Sequence, residues 1–192
     1  MKLVIASNNK GKIREYKQLL EPLGYEVCSQ SEAGIDIEVE ETGTTFAENS
    51  ALKARAVYEL CGCAVLADDS GLSVDALGGE PGVYSARYGG STTDEQRIAL
   101  VLRKLEGVTK DKRGAHFVCT IHFIKADGSE IAVEGRVYGS IGYEPLGENG
   151  FGYDPIFMYE GKSFAQVDAE VKNQVSHRAQ ALKKLLEELK KQ

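Results

Sequence analysis

Residues 66–72, LADDSGL, form an apolar run that meets two neighbouring carboxylates, and the interpretation of the whole chain starts there. The apolar residues 64–67 predict a buried strand, and Ser70-Gly71 predicts a turn at its end. Neighbouring side chains of a strand point to opposite faces, so Asp68 and Asp69 are not expected to bind one metal ion together. Leaving both carboxylates unpaired would be costly. We expect Mg²⁺ to compensate at least one and hydrogen bonds at the turn to serve the other; a purely structural Asx turn is the alternative.

Working outward from this strand, the sequence predicts an α/β protein with an elongated mixed sheet flanked by helices. Strands and helices alternate at first, and a long hairpin follows over residues 116–141 with Asp127-Gly128 as its turn. A capping box at Thr45 to Glu48 predicts the start of a helix. The other predicted elements are strands at 2–7 and 25–29, helices from about Lys10, over about 93–105 and from near Ser176, and a glycine-rich loop at 78–90.

Composition limits the class of protein. The chain has 192 residues, 42% of them apolar, which suits one domain over residues 1–192 or two small lobes around a shared sheet. A net charge of -6 argues against a general nucleic-acid binder. No apolar run is long enough to span a membrane, and the first residues lack the apolar stretch of a signal peptide. Scattered cysteines without a metal-ligand spacing predict reduced thiols, and we expect a cytoplasmic protein that binds neither nucleic acid nor membrane.

Residues 7–12, SNNKGK, lie between a predicted strand and a predicted helix. A helix N-terminus offers free N–H groups and a partial positive charge, so this position suits a phosphate group, and Lys10 and Lys12 add positive charge. The glycine spacing is neither that of a Walker A loop nor that of a dinucleotide fingerprint. An ordinary structural turn remains the alternative.

Three further stretches carry candidate functional residues. Residues 38–41 form an acidic run before a helix on which Asn49 and Lys53 share a face, although such acidic residues also simply favour a helix N-terminus. Residues 147–157, GENGFGYDPIF, alternate glycine with aromatic residues and could form a stacking slot for a planar base, or a tight loop packed into the core. Residues 172–178, KNQVSHR, place Lys, His and Arg at a helix start, as a donor patch or as a solvated basic surface.

Together these motifs resemble those of the inosine/xanthosine triphosphate pyrophosphatase family. The resemblance extends from Lys2 to the last helix and rests on six motifs in the family's order and spacing: SNNKGK, EETGTTFAENSALKAR, ADDSGL, GEPGVYSARY, GFGYDPIF and KNQVSHRAQAL. It implies two lobes with the active-site cleft between them, a homodimer, and hydrolysis of a deaminated purine nucleoside triphosphate to the monophosphate and pyrophosphate with Mg²⁺. One departure is that Ser7-Asn8-Asn9 stands where the family often has Thr-Gly-Asn.

The resemblance also implies roles for individual residues. Glu40 and Asp69 resemble the metal-linked carboxylates, and Asp69 is the candidate base. The implied substrate contacts fall at the phosphate cradle, at a phosphate-facing lysine, beside Asp69, and in the base-recognition set. They are Ser7, Asn8, Asn9, Lys10, Gly11 and Lys12; Lys53; Ser70; and Phe151, Gly152, Tyr153, Asp154, Lys172, His177 and Arg178.

Other functions remain open from the sequence. A pyrophosphatase of related fold could act on pyrimidine or modified nucleoside triphosphates, and a nucleotide-binding module could bind without turnover. The carboxylates at Glu40 and Asp69 argue against the second alternative, because a protein that only binds has no need of a base. Donors near His177 and Arg178 would favour the 6-oxygen of inosine or xanthosine over the amino group of adenine.

Overall fold

The computed structural model describes residues 2–90 and 93–191, and its strands form one seven-stranded sheet. The strands are β1 Lys2–Ile5, β2 Glu26–Ser29, β3 Val65–Val74, β4 Gly114–Ile124, β5 Glu130–Ile141, β6 Phe157–Tyr159 and β7 Lys162–Ser163. The helices are α1 Lys10–Leu20, α2 Phe46–Cys61, α3 Asp94–Lys104, α4 Ala169–Val175 and α5 His177–Leu189.

The sheet is mixed, as the sequence predicts. Its strand order is β2-β1-β3-β4-β5-β6-β7. β1 pairs in parallel with both β2 and β3, with Val4 opposite Val65. β6 pairs antiparallel with β5 and with β7. The parallel part is where predicted strands alternate with helices, because a parallel pair needs a crossover connection.

The predicted helix start at Thr45 is confirmed in atomic detail. The Thr45 hydroxyl accepts the N–H of Glu48 at 3.2 Å, and the Glu48 carboxylate accepts the N–H of Thr45 at 3.1 Å. At the other end, Gly62 terminates α2 in the left-handed conformation with φ +59°. This reciprocal capping satisfies two backbone donors and fixes the helix that carries Asn49 and Lys53.

The predicted turn at Ser70-Gly71 is wrong, because β3 continues through both residues to Val74. Gly71 and Leu72 are buried, and the N–H of Leu72 donates to Ser85 Oγ at 2.9 Å. Turn propensity is local, and sheet pairing with burial outweighs it here. The carboxylates therefore lie within a strand and not at its end.

The chain divides into two compact units. The first contains the residues up to Asp69, Cys119–Gly135 and the residues from Arg178 onward. In it, the sheet residues Leu3, Ile5 and Leu66 share an apolar cluster with residues of α1 and α5. The sheet residues Val4, Val65 and Ala67 share another cluster with Ala54 and Val57 of α2.

The second unit contains Ser70–Val118 and Arg136–His177. Its core is aromatic, with the rings of Phe117 and Phe157 at 4.5 Å and those of Phe157 and Phe164 at 5.0 Å between centroids. α4 and the short strands β6 and β7 belong to this unit and are not predicted from the sequence. Among the described residues, no helix combines the length and apolarity that a membrane span requires.

Candidate active site

The turn between β1 and α1 exposes backbone donors beside basic side chains. Asn9 caps the helix by accepting the N–H of Lys12 at 3.0 Å, and Ser7 Oγ accepts the N–H of Asn9 at 3.1 Å. Asn8, Asn9 and Lys10 are exposed, so this helix N-terminus is open to an incoming anion. The geometry suits a phosphate group, for which the helix dipole and the free N–H groups are favourable.

The change from glycine to Asn8 costs no backbone strain. Among the described residues, Glu160 is the one non-glycine residue with positive φ, so Asn8 occupies ordinary backbone space. Gly11 lies in the first turn of α1 and is half-buried.

Asp68 and Asp69 contact different helices, in agreement with strand alternation. Asp68 Oδ2 forms ion pairs with Lys12 of α1 and Arg178 of α5, both at 3.1 Å. Asp69 Oδ2 accepts a hydrogen bond from Asn49 Nδ2 of α2 at 3.2 Å. The two carboxylates therefore have separate surroundings, as the period of two predicts.

Asp69, the predicted base, is buried beside positive charges. It is 6% exposed, and burial raises its pKa, with the positive charges of Lys53 and Lys12 opposing the rise and Glu41 adding to it. A carboxylate with a raised pKa binds a proton more readily than an exposed aspartate, which favours proton abstraction from water.

Lys53 is the positive centre beside Asp69. Its ammonium donates to Glu41 Oε1 at 2.7 Å and to the carbonyl of Asp68 at 2.9 Å, and it lies 3.5 Å from Asp69 Oδ1. Burial lowers its pKa, but the charges of Asp69, Asp68 and Glu41 outweigh burial and leave the pKa raised. Lys53 is therefore a protonated point charge at this site.

A buried charge network surrounds Asp68. Arg178 is 1% exposed and forms ion pairs with both Glu15 and Asp68. Its guanidinium carbon lies 5.6 Å from the centre of the Tyr16 ring. Burial alone would lower the pKa of Arg178, but the charges of Asp68 and Glu15 raise it well above its usual value. The Cys119 thiol donates to Asp68 Oδ2 at 3.7 Å. The network holds Lys12 and Arg178 on one carboxylate.

The side chains that could bind a divalent cation are Asp69 and the acidic residues of the segment before α2. Within residues 2–90 and 93–191, no group of three or more His, Cys, Asp or Glu side chains is arranged to hold a metal ion. Glu40 is exposed, and its neighbour Glu41 is near enough for its charge to raise the pKa of Asp69. Magnesium is commonly bound through one or two carboxylates together with substrate phosphates, so Asp69 with one further carboxylate is a donor set that fits Mg²⁺.

In the second unit, residues 147–154 form a tight loop. Gly147 and Gly150 have φ +82° and +77°, and a Cβ at Gly150 would lie 2.1 Å from Asp154 Oδ2. That oxygen accepts the N–H of Phe151 at 2.9 Å and the ammonium of Lys172 at 2.6 Å. The Lys172 ammonium lies 5.1 Å from the centre of the Phe151 ring. Glycine is required here because the backbone wraps closely around one carboxylate.

The structure thus brings together Phe151, Gly152, Tyr153, Asp154 and Lys172, five of the residues predicted to recognise the base. The Tyr153 hydroxyl donates to the carbonyl of Ser85 at 2.8 Å, and Tyr153 is buried.

The remaining predicted contacts lie elsewhere. His177 stacks on Phe117, with 4.8 Å between ring centroids and 17° between planes, and is 6% exposed. Ser70 is half-buried within β3, and Arg178 belongs to the charge network of the first unit.

Sequence reasoning gave no site role to three residues of the first unit that form hydrogen bonds or ion pairs with candidate site residues. Asn49 and Glu41 lie in a stretch that the sequence singles out, and Glu15, which pairs with Arg178, is not singled out at all. Asn49 is 0% exposed, and Glu15 is 7% exposed. A polar residue at a core-facing position of a helix is the available signal, because buried polar groups need partners.

A mixed sheet with two buried carboxylates on β3 and an exposed helix N-terminus after β1 defines the class as an α/β protein, and comparison with known proteins gives the family. The model of the Ham1 family matches residues 3–188, and the chain belongs to this family. A dITP/XTP pyrophosphatase of Bacillus subtilis (strain 168) is 51% identical over 186 residues, with 95% of this chain and 93% of the relative covered. A protein of the same name from Yersinia pseudotuberculosis serotype I (strain IP32953) is 45% identical over 194 residues, with 98% of each chain covered.

Comparison with solved structures gives the same family and the same fold. The Staphylococcus aureus Ham1 protein has a TM-score of 0.86 at 46% identity, covering 99% of this chain and 98% of that one. A HAM1 protein from Coxiella burnetii has a TM-score of 0.87 at 40% identity, covering 100% of both chains. The fold class and the family resemblance drawn from the sequence motifs are confirmed.

Proposed function

We propose that this protein hydrolyses deaminated purine nucleoside triphosphates, namely ITP, dITP and XTP, to the monophosphate and pyrophosphate, and so removes them from the nucleotide pool. The observation that carries the proposal is the buried Asp69, whose raised pKa and contact with Lys53 suit activation of water. Family membership and the names of the relatives support the same reaction.

In this mechanism the triphosphate binds at the start of α1. Ser7, Asn8, Asn9 and Gly11 supply hydroxyl, amide or backbone donors, and Lys10, Lys12 and Lys53 offset the negative charge of the pyrophosphate unit that leaves. Glu40 and Asp69 would hold Mg²⁺, which when bound neutralises charge on the phosphate oxygens.

Asp69 carries out the chemical step on water. Its carboxylate orients a water molecule and accepts a proton from it as the oxygen attacks the α-phosphorus. The bond between the α-phosphorus and the bridging oxygen breaks, and the β- and γ-phosphates leave together. Asn49 keeps the carboxylate oriented through the hydrogen bond at 3.2 Å.

We assign recognition of the base to the Phe151 loop and to donors near His177 and Arg178. Phe151, Gly152, Tyr153 and Asp154 form the loop on which a purine would stack, supported by Lys172, and Ser70 contacts the substrate next to Asp69. Donors near His177 and Arg178 pair with the 6-oxygen of hypoxanthine or xanthine. Adenine carries an amino donor at that position and leaves such donors unpaired.

Four finer features belong to the same proposal. We propose Mg²⁺ as the metal, because carboxylate oxygens suit a hard cation. We propose a homodimer on the family resemblance, and no binding of nucleic acid, because the net charge is -6. A cytoplasmic location fits the four free thiols, Cys28, Cys61, Cys63 and Cys119.

A panel of ITP, XTP, dITP, ATP, GTP and dTTP with Mg²⁺ tests the proposal, with pyrophosphate and orthophosphate measured separately. Pyrophosphate is the expected product from the first three, and kcat/KM for ATP should be lower by about 10⁴-fold. Orthophosphate as the primary product, or ATP hydrolysed as fast as ITP, would contradict the proposal. Preferential hydrolysis of dTTP would indicate a pyrimidine-directed enzyme, and binding without turnover a nucleotide-binding module.

A further inference from the structure

A carboxylate of α3 holds the loop assigned to base recognition. Asp94 Oδ2 accepts the backbone N–H of Gly152 at 2.6 Å, across 58 residues of sequence. Gly152 has φ +62°, so its peptide takes a direction that other residues rarely adopt. A hydrogen bond to a charged acceptor is stronger than one between neutral groups, so this contact fixes the direction of the peptide.

The carboxylate of Asp94 is itself fixed. Its other oxygen, Oδ1, forms an ion pair with Arg97 of the same helix, and the Arg97 side chain is 13% exposed. Arg97 Nη1 also donates to the carbonyl of Ala86 at 3.0 Å. Thr93 caps the helix by accepting the N–H of Gln96 at 3.3 Å, which sets the position from which Asp94 projects.

The hydrogen bond at Gly152 acts on Phe151 through the backbone. The N–H of Phe151 is bound by Asp154 at 2.9 Å, and the next N–H, that of Gly152, is bound by Asp94. Both peptide units that flank the α-carbon of Phe151 are therefore held by carboxylates. These two constraints set the direction of the Cα–Cβ bond of Phe151, and the Lys172 ammonium lies 5.1 Å from the centre of its ring.

We propose that Asp94 is a positioning residue for purine recognition, with Arg97 holding its carboxylate in place. The proposal rests on the proposed function, in which the Phe151 loop binds the base. Asp94 touches neither phosphate nor water in this scheme. Its loss therefore weakens binding of the base and leaves the rate of the chemical step unchanged.

The test compares Asp94→Ala and Asp94→Asn with the control Glu95→Gln, which removes an exposed charge from the same helical turn. In Asp94→Ala, KM for ITP should rise about tenfold with kcat within about twofold, the expected effect of one charge-assisted hydrogen bond. Asp94→Asn keeps an acceptor and should stay within about threefold of wild type in KM. Glu95→Gln should match wild type.

Two binding measurements separate this role from general destabilisation. Calorimetric titration with IMP should show about tenfold weaker binding to Asp94→Ala, whereas inhibition by inorganic pyrophosphate should stay unchanged. Should Asp94→Ala not fold, Arg97→Gln replaces it and should weaken IMP binding by about threefold.

Two results would overturn the inference: a fall in kcat with unchanged KM and IMP affinity, or Asp94→Asn as impaired as Asp94→Ala. A wild-type protein without pyrophosphate release from ITP contradicts the proposed function instead, because the IMP titration still reports on the loop.

Discussion

The two compact units hold their candidate site residues by different means. In the first unit, charged side chains hold one another: Asp68 binds Lys12 and Arg178, and Lys53 binds Glu41 beside Asp69. In the second unit, the carboxylates of Asp154 and Asp94 hold the backbone of the Phe151 loop, residues 147–154. Charged side chains that are already fixed before substrate binds can stabilise negative charge that develops in a reaction. A loop with a fixed backbone can hold a bound group in one orientation. The two units should therefore respond differently to mutation.

The largest expected effect is at Asp69, the proposed base, in the first unit. Asp69→Asn keeps the size of the side chain and an acceptor for Asn49 but cannot take a proton. We expect kcat to fall by about 10³-fold, in the range of lost general-base catalysis, with the fold retained. Asp36→Asn, at an exposed aspartate of the same unit, is the matched control and should retain full activity. More than about a tenth of wild-type activity in Asp69→Asn would remove Asp69 as the base.

A second prediction concerns the stability of the first unit. Arg178→Met leaves Asp68 and Glu15 without their shared cation in a buried position. The free energy of unfolding in urea should fall by about 3–5 kcal/mol, the usual result of breaking a buried ion pair from one side.

The control for this prediction is Arg55→Met. Hydrogen bonds from Arg55 lower the pKa of Glu130 to about 2, but the Arg55 side chain is 57% exposed. Solvent screens such a pair, so the loss should stay below about 1 kcal/mol. Equal losses in the two variants would show that the Asp68 network does not stabilise the unit.

A third prediction compares one lysine from each unit. Lys53→Met removes the positive charge beside Asp69 and should lower kcat by about 10²-fold. Lys172→Met leaves Asp154 buried without its cation, which loosens the Phe151 loop, and should raise KM for ITP by about tenfold with a smaller change in kcat. Steady-state kinetics with ITP separates the two. The same pattern in both variants would show that the division between the units is wrong.

The smallest expected effect is a dependence of stability on pH. Burial raises the pKa of Asp69 in the folded protein, so the ionised form is disfavoured there relative to the unfolded chain. This contribution favours the folded state fully below the unfolded pKa and is lost as pH rises through the raised folded pKa. Asp69→Asn does not ionise, so it should gain stability relative to wild type over that pH range. Urea unfolding of both proteins from pH 4 upward measures this difference, and a constant difference would contradict the raised pKa.

The separation of Asp68 from Asp69 is predictable from the sequence, because side-chain alternation in a strand needs no tertiary information. The capping of α2 at Thr45 is predictable for the same reason, since its partners lie within three residues. The turn at Ser70-Gly71 is not formed, because Leu72 and its bond to Ser85 carry the strand onward.

Long-range pairing is the part that sequence patterns do not give. The motif at residues 172–178 predicts a donor patch or a solvated basic surface, yet Arg178 is buried against Glu15 and Asp68, 163 and 110 residues away. No periodicity connects residues at such separations. The same holds for Asp94 and Gly152, whose contact depends on how α3 is placed beside the loop.

The ion pairs of Arg178 also order the assembly of the protein in time. Glu15 and Asp68 are made long before Arg178 in the growing chain, so the cation that they share is absent until the start of α5 has been synthesised. Contacts between residues far apart in sequence form slowly, because the loop that they close must lose conformational entropy first. A chain interrupted before Arg178 therefore keeps Lys12 for Asp68 but lacks the cation that Asp68 and Glu15 share.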